Sequence, residues 1–240
     1  MSGHSKWKNI MHKKGKTDAQ RAKLFTKVGK EIMMAVRDGG SADPQANSRL
    51  RDVITKAKAQ NVPNDNIDRL IAKAKGAGNT ESYEKIVYEG YGPGGVAVIV
   101  ETATDNRNRT AGDMRHYFDK SGGNLGQTGS VGYLFSRKGV LTLDGEGLDE
   151  EQLMMDALEA GAEDVTNDEG VFEVTTEADD FSAVCDALTK AGYVFTSAQV
   201  EQVPSVYVTL TDEEQTLKFQ KLLDMLDEND DVTDVWHNCD

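Results

Sequence analysis

The residues whose types and spacing could do chemistry crowd one end of the chain. Gly3-His4-Ser5-Lys6-Trp7-Lys8-Asn9-Ile10-Met11-His12-Lys13-Lys14-Gly15-Lys16 carries five lysines, two histidines and one tryptophan, and no acid. Lysines at this density neutralise phosphates and release their condensed counterions, while an indole can stack on an unpaired base. Lys6, Trp7, Lys8, His12, Lys13, Lys14 and Lys16 are therefore candidates for nucleic-acid contact, with Arg21, Lys23, Lys27 and Lys30 in the segment behind them. The plainer reading is a disordered tail whose Trp7 packs on the helical bundle behind it, with the lysine stripe of the first helix a solvated face.

The charge balance bears on that choice. Residues 1–80 hold 17 Lys+Arg against 7 Asp+Glu, whereas the 240 residues together hold 27 against 41, a net charge of −14. Residues 81–240 thus carry 10 cations and 34 acids. Like charges gathered on one module repel each other unless a polyanion is the intended partner. The acidic remainder reads as a solvated surface, as one that faces proteins, or as one that steers the basic end toward nucleic acid.

A second candidate is Asp105-Asn106-Arg107-Asn108-Arg109-Thr110, followed by Arg115 and His116. Arginines oppose the positive end of a helix dipole, so a phosphate bound at that N-terminus would explain Arg107 and Arg109. Alternatively they pair with the abundant acids around them. Other chemistry finds no constellation. The Gly122–Gly132 loop lacks the G-K-[ST] of a phosphate loop and precedes a strand, and Thr128-Gly129-Ser130-Val131-Gly132 misses the nucleophile elbow. His4, His12, His116 and His237 are scattered without metal-ligand spacing. No catalytic residue, metal or cofactor is expected.

At 240 residues the chain is long enough for two or three compact units. No run of 18 apolar residues offers a membrane span, and charge follows Ile10-Met11 at once, so the apolar core of a signal peptide is missing. Cys185 and Cys239 lie far apart, which fits a reduced, cytoplasmic protein.

The elements that must position these residues follow from periodicity. Phe25, Val28, Ile32, Ala35 and Val36 share one helical face, with Lys23, Lys27, Lys30 and Arg37 opposite, and Asp38-Gly39-Gly40 ends that helix. Asp43-Pro44 is expected to open a second helix, with Ala46, Leu50, Val53, Ile54 and Ala57 inward and Arg49, Arg51, Lys56 and Lys58 flanking them. Ile67, Leu70, Ile71 and Ala74 give a third, completing a basic three-helix bundle. Beyond Gly78, residues 83–89 and 96–102 read as strands around a Gly-Tyr-Gly-Pro-Gly-Gly turn, and Asp105 or Asn106 caps a helix to about Lys120. Residues 122–126 read as a loop. Strand–helix–strand–strand–helix–strand follows over 140–203, the order of a ferredoxin-like split βαβ sandwich. A strand at 206–210, a helix at 212–227 and a strand at 232–236 close the chain. The class is α+β, divided as 1–79, a basic tail and helical domain; 80–134 plus 205–240, a middle domain; and 135–204, an acidic ferredoxin-like domain inserted into it.

Gly3-His4-Ser5-Lys6-Trp7, His12-Lys13-Lys14, Asp18-Ala19-Gln20-Arg21, Tyr88-Glu89-Gly90-Tyr91-Gly92-Pro93-Gly94-Gly95, Thr104–Thr110 and Gly122-Gly123-Asn124-Leu125-Gly126 resemble the YebC family through the whole chain. This group includes the mitochondrial translational activator of cytochrome oxidase subunit one. The resemblance implies a helical N-terminal domain and two α+β domains, the third inserted in the second. It also implies a non-enzymatic role in gene expression, with no catalytic residues to carry over. Bacterial members are described as DNA-binding transcriptional regulators, while the mitochondrial relative and some bacterial ones are linked to translation on the ribosome. The expected partner is therefore nucleic acid, DNA or ribosomal RNA, with the ribosome as the alternative, no membrane, and a monomeric protein. Duplex reading would want a recognition helix opening on base-reading Asn, Gln and Arg, and none stands out.

Overall fold

Apolar residues every three to four positions put the first part of the chain into three helices. In the computed structural model, which describes residues 18–76 and 82–240, these are α1 (Asp18–Gly39), α2 (Ser48–Ala59) and α3 (Asn64–Gly76). Val28, Ile32 and Ala35 are buried on α1, as the period requires. The second helix starts later than Asp43-Pro44 suggests. Asp43 spends its carboxylate on the amide of Gln45, two residues on (2.9 Å), which makes a turn. The cap is Asn47, whose Oδ1 accepts from Leu50 N (3.1 Å) while its Nδ2 donates to the carbonyls of Ala35 (2.9 Å) and Ser41 (2.7 Å). One buried amide thus closes α1 and opens α2.

The middle of the chain builds a sheet in the order β3-β1-β2-β8, from β1 (Glu84–Tyr91), β2 (Ala97–Thr104), β3 (Asn124–Leu125) and β8 (Val232–His237). The near-continuous apolar run of β2 is explained by cover on both faces. Val98 and Val100 pack against Met114 and Phe118 of α4 (Arg107–Lys120) and Phe219, Leu222 and Leu226 of α7 (Glu213–Glu228). Ala97 and Ile99 face Val131 and Phe135 instead.

Two expectations change here. Residues 122–126 contain the short strand β3, paired with Gly90 and Tyr91 of β1. A Cβ on Gly123 would lie 2.5 Å from the Tyr91 carbonyl oxygen, and one on Gly90 2.6 Å from that of Asn124, so this pairing needs both glycines. Residues 206–210 form no strand and make one bridge, Val208 to Cys239, since the Val206 carbonyl accepts from the Asn238 side chain (3.0 Å).

The second sheet has the order β5-β6-β4-β7. It comprises β4 (Phe135–Asp144), β5 (Asp164–Asp168), β6 (Val171–Glu177) and β7 (Ser197–Pro204). The helices α5 (Glu150–Ala160) and α6 (Phe181–Lys190) share its core through Leu153, Ala157, Phe181, Val184 and Leu188, on the face of Leu141, Leu143, Phe172 and Val174. This is the ferredoxin-like βαββαβ order. The strand read from Val140 starts earlier, at Phe135, and takes in Gly139, where a Cβ would sit 2.3 Å from Thr176 Oγ1 and 2.7 Å from Phe181 Cβ.

Contacts gather the described residues into two compact units, one of 35–76 and 137–201, the other of 18–34, 82–136 and 202–240. In the first, Ser182 Oγ at the start of α6 donates to Asp52 Oδ1 of α2 (2.5 Å). In the second, β8 and α7 join the sheet that β1 and β2 begin. No helix among the described residues is long and apolar enough to cross a membrane.

Candidate nucleic-acid interface

Lys6, Trp7, Lys8, His12, Lys13, Lys14 and Lys16 lie outside the described residues. Arg21, in the first turns of α1, is exposed. Beyond it the same 3.6-residue period that lines up the apolar face lines up Lys23, Lys27 and Lys30, and the protein itself takes that stripe. Lys23 Nζ donates to the carbonyl of Glu228 (3.2 Å), and Lys27 Nζ to that of Asp227 (2.9 Å), at the C-terminal end of α7. Cations there satisfy carbonyls that the helix leaves open and oppose its dipole. Burial pulls the Lys27 ammonium below its usual value, against the opposing pull of Asp227.

Lys30 goes further in. It is 9% exposed, and its ammonium donates to Asp231 Oδ1 (2.7 Å) and to the carbonyls of Asp230 (2.9 Å) and Ala103 (3.3 Å), 5.3 Å from the centre of the Tyr83 ring. Asp231, 5% exposed in the turn before β8, is the hub. Its other oxygen accepts from Arg109 Nη2 (2.7 Å), Thr110 Oγ1 (2.9 Å) and Thr104 Oγ1 (3.2 Å). Burial pushes this carboxyl up, yet the hydrogen bonds from Arg109, Lys30 and Thr110 overcome that and set it at about 2. Lys30 has no charge to offer a phosphate without breaking this network.

The Asp105–Thr110 motif divides accordingly. Asn106 caps α4 by accepting from Arg109 N (3.1 Å), and the Arg109 guanidinium bridges Asp105 (2.9 Å) and Asp231. Arg109 therefore follows the ion-pair alternative. Arg107 is exposed and makes no ion pair among the described residues. The structure brings Lys30 and Arg109 together on one carboxylate and leaves Arg107 and Arg21 facing solvent.

The glycine-rich loop after β3 is organised from within. The buried Glu89 carboxylate accepts from the backbone amides of Gly129 (2.8 Å), Val131 (2.9 Å) and Gly132 (2.7 Å). Burial raises its carboxyl, but these three donors prevail and hold it below the usual value. An internal anion thus fills the cradle that a phosphate would have needed. Glu89→Ala should leave three amides unsatisfied and cost about 3 kcal/mol or more, with Glu89→Gln losing less. Urea unfolding curves measure this, and a loss under about 1 kcal/mol for Glu89→Ala would refute the clamp.

Further cations, beyond the candidates named from the sequence, lie on α2 and α3. Lys58, Arg69, Lys73 and Lys75 are exposed, as is Arg49, and residues 48–76 hold seven Lys+Arg against three Asp+Glu. Their signal was legible as positions off the apolar face. The four residues 60–63 join the two helices, with Asn61 in the left-handed region (φ 60°) and Val62 N bonded to Ala57 O (3.0 Å). Among the described residues no group of His, Cys, Asp and Glu is placed to hold a metal ion.

A family model described as the TACO1/YebC protein N-terminal domain matches residues 5–77, and one described as the TACO1/YebC second and third domain matches residues 83–239. A Finegoldia magna protein named "Probable transcriptional regulatory protein" is 57% identical over 240 residues, covering 100% of this chain and 99% of its own. One of the same name from Caldicellulosiruptor bescii is 55% identical, covering 99% of this chain and 98% of its own. The crystal structure of a conserved hypothetical protein from Aquifex aeolicus matches with a TM-score of 0.82 at 45% identity, over 94% of this chain and 92% of that one.

Proposed function

The chain belongs to the TACO1/YebC family, and we propose that it is a DNA-binding transcriptional regulatory protein that performs no catalysis. The observation that carries this reading is the partition of charge: 17 of its 27 cations lie in residues 1–80, against 7 of its 41 acids. A binding face built this way takes the phosphate backbone, which supplies affinity and salt dependence without reading sequence. In this reading the contacts come from the segment of Lys6, Lys8, Lys13, Lys14 and Lys16, from Arg21 and Arg107, and from the exposed cations of α2 and α3. Trp7 adds a stacking surface where bases are unpaired. Two features support DNA in particular. Close relatives carry the name "Probable transcriptional regulatory protein". A four-residue connection between α2 and α3 also has the length of the turn in helix-turn-helix modules.

The test is co-sedimentation of the purified protein with random duplex DNA and, separately, with ribosomes at physiological salt. Retention on duplex DNA, weakening linearly in log-log form as salt rises, is the expected result. Pelleting with ribosomes while duplex DNA is ignored would overturn the DNA assignment and make the protein a translation factor.

A further inference from the structure

The outward face of α5 breaks the amphipathic rule that shaped the rest of the helix. Leu153 and Ala157 point into the core as the period demands. On the other side Met154, Met155 and Leu158 are 40%, 58% and 51% exposed, three large apolar side chains within one and a half turns. Single exposed apolar residues need no explanation, and Leu217 on α7 is such a case. A run of three on one arc is different. Stepping 100° per residue places Glu151 among them and Glu150 and Glu159 at the two borders, all exposed. The surrounding segment, residues 137–201, holds 17 acids and only 3 cations.

That charge decides what can sit there. Nucleic acid and an anionic lipid surface would be repelled, and so would the same face of a second copy. A cationic helix with an apolar stripe meets no such barrier. We propose that the α5 strip docks a lysine- or arginine-rich amphipathic helix of a partner protein. Its apolar side chains lie between Met154, Met155 and Leu158, and its cations face Glu150, Glu151 and Glu159. The mode is helix against helix, with anchors one turn apart. Unbranched methionines repack around anchors of different shape, which suits a surface that meets its partner from solution. The acids speed encounter and set orientation, while apolar burial sets how long the complex lasts. This surface is independent of the nucleic-acid reading, since it uses none of the same residues.

The probe is a synthetic helix with leucines on one face and lysines on the other, titrated against the full chain at physiological salt and read by fluorescence anisotropy. Met155→Ser with Leu158→Ser should weaken binding at least about tenfold, by removing two buried apolar anchors, with the melting curve unchanged. A control peptide with every leucine replaced by serine and the same charge should bind at least about tenfold more weakly. Equal binding of the two peptides, or of the two proteins, would reduce the contact to bare charge attraction and overturn the proposal. A concentration-dependent dimer lost in the double variant would assign the strip to a second copy. A rise in affinity on deleting residues 1–17 would assign it to the chain's own basic segment. Either result also overturns it.

Discussion

Asp231→Ala will cost on the order of 3–5 kcal/mol of stability, the range for removing one partner from a buried ion pair. The reason is what the substitution leaves behind. The Lys30 ammonium loses its carboxylate hydrogen bond in a site where it is 9% exposed, and the hydroxyls of Thr104 and Thr110 lose an acceptor. Arg109 suffers less, because its guanidinium is half exposed and keeps Asp105. Lys30→Met should therefore cost less than Asp231→Ala, since Asp231 would retain Arg109 and both hydroxyls. Urea unfolding gives the sizes, and hydrogen exchange of residues 18–34 gives the place. An Asp231→Ala protein within about 1 kcal/mol of the parent would show that the network contributes little.

The pH dependence has a definite sign. The folded carboxyl stands at about 2, below its unfolded value of about 3.9. Its stabilisation is therefore complete above the unfolded value and is lost as pH falls from about 4 through about 2. Acid unfolding of the Asp231→Ala protein should be flatter across that window than that of the parent.

This node also marks how far the sequence can be read. Local rules place the helices well, because Val28, Ile32 and Ala35 or Leu153 and Ala157 announce their own faces. Local rules also put Lys23, Lys27 and Lys30 on the opposite face of α1, which is correct as geometry. What no window on α1 contains is the end of α7 and the turn after it, residues 227–231, some 200 positions away, whose carbonyls and carboxylate take that stripe. A basic stripe facing solvent and one facing a distant acidic turn have the same period. Arg109 offers the same two readings for the same reason, and its pairing with Asp231 is visible only in the fold. Asn47 is the smaller case. Asp43-Pro44 carries a strong helix-start signal, but the amide four residues later also reaches the end of α1, and that link is tertiary. Glycines mislead in a related way. The strand is read only from Val140 and Gly123 reads as loop, yet Gly139 lies within β4 and Gly123 beside β3, and at each another chain segment passes too close for a Cβ.

Among binding variants the largest effect is expected from Lys13→Glu, Lys14→Glu and Lys16→Glu together. If each lysine neutralises one phosphate, the triple variant should lower the salt slope of duplex binding by about 2.7 and the affinity at physiological salt by about a hundredfold. Charge reversal then adds repulsion, so binding at that salt should become undetectable. The informative comparison is Lys23→Gln with Lys27→Gln. These lysines carry the same charge and follow closely in sequence, but their ammonium groups serve the end of α7. They should lower the melting temperature and leave the salt slope nearly unchanged, whereas the tail variant should do the reverse. A tail variant with the parent's affinity and slope would remove residues 13–16 from the interface. A slope that falls equally in both variants would mean that α1 releases its lysines when nucleic acid arrives. Binding and the packing of α1 would then be competing uses of the same charges, and DNA affinity should rise when the Asp231 node is weakened.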